Sequence, residues 1–121
     1  MFYRRLKSFI VAFHGIIEAV RTQVHMRVHI VLGAMALGGC VYFDVAPWEW
    51  VAVIGCIGLV VGLEMVNTAL EYLVDWLSPE YHPLAGKVKD VAAGAVLVAA
   101  VCALAIGGIV FGPYLLGWLT K

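Results

Sequence analysis

The chain has 121 residues; 64% are hydrophobic, only 13% are charged, and eight basic and eight acidic side chains cancel to zero net charge. A soluble domain carries about 25% charged residues and a chain this short leaves much of its surface in water. A soluble globular domain is therefore excluded, as is disorder, and the neutral balance gives no reason to expect a nucleic-acid partner.

In chain order, the first segment is amphipathic. Leu6, Phe9, Phe13, Ile16, Ile17, Val20 and Val24 recur at helical spacing, with Lys7 and Arg21 between them and Arg4 and Arg5 just before. The pattern predicts a helix over 1–27 that lies on a membrane surface, rather than a cleaved signal peptide. Three apolar runs follow, from Val28 to Phe43, Val51 to Leu63 and Val91 to Thr120. About 20 apolar residues cross a bilayer. The third run reaches that length alone and the first two reach it with their flanks. The predicted spans are 28–45, 48–77 with a polar extension, and 91–119, joined by a loop over 78–90. The expected fold is one all-α membrane domain over 1–121, a surface helix followed by three transmembrane helices.

Five of the eight basic residues precede the first apolar run, the turn around Asp44 and Glu49 has none, and the 78–90 segment carries Lys87 and Lys89. The positive-inside rule then puts the N-terminus in the cytoplasm and the C-terminus outside. Trp48, Trp50 and Trp118 fall at the expected external ends, and Trp76 at the internal end of the second span. Cys40, Cys56 and Cys102 are odd in number and lack Cys-x-x-Cys spacing, so they are expected to be small buried residues rather than disulfide or zinc partners.

Chemistry-bearing residues concentrate at the end of the second span. Glu64, Asn67, Glu71 and Asp75 are spaced by three, four and four, which puts them on one face of a helix. Glu64 and Glu71 are about 10 Å apart along that axis. A carboxylate beside an apolar run is expensive in a bilayer and normally faces a bundle interior in a functional role. It can bind a hard cation such as Mg²⁺, or accept a proton from a hydroxyl nucleophile. Asp75 alone reads as the wet end of a long helix. Lys87 and Lys89 read as interfacial anchors, and Ala92, Ala93, Gly94 and Ala95 as a surface where helices approach closely.

The stretch Glu64-x-x-Asn67-Thr68-Ala69-x-Glu71-x-x-x-Asp75, then Glu80-Tyr81-His82, then Lys89-Asp90-x-Ala92-Ala93-x-Ala95-Val96 resembles the prokaryotic diacylglycerol kinase and undecaprenol kinase family. The resemblance extends over nearly the whole chain and includes Arg27-Val28-His29 at the entry to the first span. It implies a small bacterial inner-membrane lipid kinase. Such an enzyme uses ATP and Mg²⁺ to phosphorylate the primary hydroxyl of a lipid alcohol, undecaprenol or diacylglycerol. It also implies a homotrimeric bundle with active sites shared between neighbouring subunits. By position, Glu64 matches the general base, Glu71 a metal ligand and Asn67 the partner between them. Glu80, His82, Lys89 and Asp90 match nucleotide-binding positions, and Arg4 an N-terminal basic residue that reaches the nucleotide. The undecaprenol-kinase branch is the closer in loop composition.

One position departs from the family pattern. Where a second metal-binding Glu is usual, this chain has Gln23, and His25 two places on is also unusual. The Gln23 carbonyl oxygen can still face Mg²⁺, but without negative charge, which predicts weaker metal binding. Glu18, five residues away, is expected to point elsewhere. Walker-A and protein-kinase motifs are absent, so catalysis would rest on positioning, metal and charge. The rival reading from the residues alone is a non-enzymatic oligomer with a proton or cation pathway lined by Glu64 and Glu71.

Overall fold

A computed structural model describes all residues, 1–121, as four helices: α1 (Phe2–Thr22), α2 (Val24–Phe43), α3 (Pro47–Leu77) and α4 (Pro83–Leu119). The last three are long and apolar enough to cross a membrane. α3 packs most extensively on α4 and next on α2, while α1 touches α2 and α3 only lightly. Ala19 is the one buried residue of α1, and its apolar side chains Phe2, Phe9, Phe13 and Ile17 are exposed.

Each junction has a local cause. The Thr22 hydroxyl donates to the Glu18 carbonyl, a back-bond that competes with the helix ladder and bends it. Gln23 follows in an extended conformation, ending α1 and starting α2. The amphipathic helix therefore ends at Thr22, five residues short of the predicted limit, and the first membrane-length helix begins at Val24. α2 closes on a Schellman motif. The Asp44 amide bonds the Val41 carbonyl and the Val45 amide bonds the Cys40 carbonyl. Asp44 takes the left-handed position at φ 50°, where Gly is usual. Val45 then packs with Cys40, Val53 and Val110 in the only cluster of fully buried apolar side chains, ringed by Leu37, Phe43, Trp50, Phe111 and Tyr114.

Pro47 and Pro83 open α3 and α4 at positions where a missing N–H costs nothing. The His82 ring caps α4, its Nδ1 accepting the Leu84 N–H at 3.1 Å. The predicted 78–90 loop is thus corrected: only Ser78–His82 lies between helices, and Leu84 to Asp90 form the first turns of α4. Polar composition marked that segment as a loop, whereas the Pro and the His cap make it a helix start. Pro113 removes one ladder bond, yet α4 continues to Leu119.

Small residues set two close approaches. A Cβ at Gly33 would lie 3.2 Å from the Ile57 side chain, and one at Gly39 would lie 3.1 Å from the Phe111 ring. The expected small-residue contact at the start of the third span is narrower. Ala92 is buried with Val96 and Ala99, while Ala93 and Ala95 face outward. The cysteines also divide: Cys40 is buried, Cys56 half-buried and Cys102 exposed. Burial of all three was expected because each lies in an apolar run, but in a membrane helix an apolar residue can equally face lipid.

Candidate active site

The polar face of α3 is split. Residues three apart on a helix are rotated by about 60°, and here that rotation matters. Glu64 and Thr68 are buried against the bundle, at 5% exposure each. Asn67 and Glu71 are half-buried, and Asp75 is exposed.

Glu64 faces α2. Its Oε1 lies 3.3 Å from His29 Nε2. The Thr68 hydroxyl donates to the Glu64 backbone carbonyl at 2.9 Å, so it leaves the carboxylate free. One turn on, Asn67 Nδ2 donates to Glu71 Oε1 at 3.3 Å. Asn67 Oδ1 is the one buried side-chain polar atom with no hydrogen-bond partner. A buried, unpaired carbonyl oxygen is costly. The Asn67 amide turns its nitrogen to Glu71, so Oδ1 and the Glu71 carboxylate are two hard oxygen donors four residues apart on one helix face. No three His, Cys, Asp or Glu side chains in one chain come together as a metal cage. Mg²⁺ does not require one, because it is commonly held by one or two carboxylates with substrate phosphates and water. The residues present therefore fit that ion.

At the end of α3, Lys89 of α4 pairs with Asp75. This brings one expected nucleotide-binding residue to the α3 line that carries Glu71. Asp90 is exposed on α4, Glu80 is exposed in the short connection, and His82 has one ring nitrogen engaged in its cap. Gln23 is half-buried at the α1–α2 junction. That junction is tied to α3: with the Thr22 proton given to the Glu18 carbonyl, Tyr72 OH donates to Thr22 Oγ1 at 2.8 Å, and Glu18 Oε1 lies 3.5 Å from the Tyr72 oxygen. Glu18, which was expected to point away from Gln23, lies beside Tyr72, the neighbour of Glu71. Arg4 is not brought to the others. It lies 18 residues before Thr22, about 27 Å along α1, and is exposed.

A second buried carboxylate was not singled out from sequence. Glu49 Oε2 accepts the Tyr114 hydroxyl at 2.6 Å and the Ala46 amide at 2.8 Å. It is 15 residues from Glu64, about 22 Å along α3. The available signal was Pro47 at a helix start with Glu49 two places on, where an acid can reach back to the N-cap amide.

The chain thus sets a buried carboxylate inside a membrane-length helix, with oxygen-bearing side chains one and two turns further on, the place in a membrane protein where an ionisable group normally has a function. The family model for prokaryotic diacylglycerol kinase matches residues 10–111. The undecaprenol kinase of Bacillus subtilis is 38% identical over 112 residues, 93% of this chain and 91% of that one. The diacylglycerol kinase of Synechocystis is 39% identical over 118 residues, 95% of this chain and 66% of that one. The diacylglycerol kinase of Escherichia coli K12 is 31% identical over 103 residues, 85% of this chain and 84% of that one. The chain belongs to the prokaryotic diacylglycerol kinase family. It is a multi-pass membrane protein and a lipid kinase, which overturns the reading of the protein as a non-enzymatic oligomer.

Proposed function

We propose that the protein transfers the γ-phosphoryl group of ATP to the primary hydroxyl of a membrane lipid alcohol, undecaprenol or diacylglycerol, in bacterial envelope-lipid recycling. The observation that carries this reading is the buried Glu64 carboxylate in a span, one turn before Asn67 and two turns before Glu71. Glu64 is the general base. Glu71, Asn67 Oδ1 and Gln23 are the oxygen donors that would hold Mg²⁺ against the phosphates, and the ion would neutralise charge on them. Lys89, Asp90, Glu80 and His82 line the nucleotide end, where a Lys serves as a point charge for phosphate. Undecaprenol is the first acceptor to test, since the relative acting on it matches nearly end to end.

The working unit is a homotrimer in the bacterial inner membrane, with the N-terminus cytoplasmic and α1 on the membrane surface. Exposed apolar side chains on α1 and basic residues before the first span support that orientation. Arg4 reaches a nucleotide held by a neighbouring subunit.

The test is transfer from labelled ATP with Mg²⁺ in mixed micelles, with undecaprenol and diacylglycerol offered side by side. Glu64→Gln is expected to abolish transfer while the assembly keeps its size on gel filtration. Undiminished transfer in that variant removes Glu64 from the base role.

A further inference from the structure

We propose that His29 is a positioning residue that holds the Glu64 carboxylate ready for the lipid hydroxyl; this rests on the reading of Glu64 as the base. Met26, Gly33 and Cys40 are the buried residues of α2, seven apart along one line. His29 falls on that line, three residues after Met26 and four before Gly33. It is the one strongly polar side chain among small and apolar neighbours on that line. A polar side chain turned into a membrane bundle is costly unless it has a partner. Here the partner is Glu64: Nε2 lies 3.3 Å from Oε1, with the two side chains 20% and 7% exposed.

The pairing is selective. Thr68 bonds the Glu64 backbone, and Asn67 bonds Glu71. No other side chain engages the Glu64 carboxylate, so His29, with Nε2 3.3 Å from Oε1, is the only group placed to fix its orientation. With Oε1 held by the ring, Oε2 remains for the substrate. In the transfer, the hydroxyl proton passes to Oε2 and the lipid oxygen bonds the γ-phosphorus. The bond from that phosphorus to the β–γ bridging oxygen breaks, and ADP leaves. His29 is unchanged at the end of the step. Its contribution is to keep the base from rotating out of the line of attack.

The experiment compares His29→Leu and His29→Gln with wild type and Glu64→Gln, in mixed micelles, varying ATP and lipid separately. Leu fills the space without a donor, whereas the Gln amide N–H reaches about as far as Nε2. His29→Leu is expected to lower kcat by about 100-fold, the scale of a misplaced reacting group, with both KM values nearly unchanged. His29→Gln is expected to recover most of kcat. Wild-type kcat in His29→Leu overturns the proposal. So does an equal loss in both variants accompanied by loss of assembly on gel filtration, which marks a packing role. Transfer that is lost in Glu64→Gln but untouched in His29→Leu overturns only the positioning role. Transfer that survives Glu64→Gln overturns the base assignment beneath it.

Discussion

Glu64, Asn67 and Glu71 were legible as a group because helix periodicity alone puts positions three and four apart near one another. Their division was not legible. Whether Glu64 turns to α2 while Asn67 and Glu71 stay together depends on how α3 is rotated against its neighbours, and no single-helix pattern carries that angle. The same limit hid His29, whose neighbours in sequence are apolar and whose partner is 35 residues away. Gln23 yields the sharpest residue-level prediction. Gln23→Glu adds a negative oxygen donor at the α1–α2 junction, so the Mg²⁺ concentration giving half-maximal transfer should fall. A titration of activity against Mg²⁺ at fixed ATP checks this. Asn67→Ala removes the orphaned oxygen together with the donor to Glu71, and the same titration should shift the opposite way.

At the scale of elements, the helices were readable from composition, but their ends were set by local bonds. Thr22 bonding back to Glu18, the left-handed Asp44 and the His82 cap decide where α1, α2 and α4 stop or start. Two side-chain clasps join elements distant in sequence. Thr22 and Tyr72 tie α1 to α3 beside Glu71. Tyr72→Phe removes that bond at a cost of about 1 kcal/mol, and amide exchange in the last turn of α1 should speed up. Glu49 ties the start of α3 to α4 through Tyr114. Glu49→Ala strands two donors, the Tyr114 hydroxyl and the Ala46 amide, costing about 3 kcal/mol. Thermal unfolding in detergent should show a lower Tm, while kcat measured well below that temperature stays near wild type, since Glu49 lies far from the transfer site.

At the scale of the molecule, one chain buries only 14 of its 121 residues. The proposed metal ligands Glu71, Asn67 and Gln23 are too few to form a cage, and Arg4 is held far from them by the length of α1. In the proposed homotrimer a second copy would complete the site. Arg4→Ala and Glu64→Gln place their defects in different halves of such a site. Mixed oligomers made by co-expressing the two variants should regain part of the activity that each lacks alone, measured as transfer per milligram of purified mixture. Homogeneous preparations of each variant supply the baseline.

The length of α3 has a further consequence. Its start at Pro47 lies beside the exposed Trp48, a residue type that settles at the bilayer boundary. From there, Glu64 is about 26 Å along the axis and Glu71 about 36 Å, against a hydrocarbon layer about 30 Å thick. The helix is a depth gauge: it sets the proposed base, Glu64, just inside the far boundary, at the depth of a lipid hydroxyl, and Glu71, the proposed metal ligand, just beyond it. Bilayer thickness is then an input to the reaction. In vesicles of graded acyl-chain length, transfer should peak at one thickness and fall on either side, as the gauge lifts the base out of the lipid or sinks the oxygens into it.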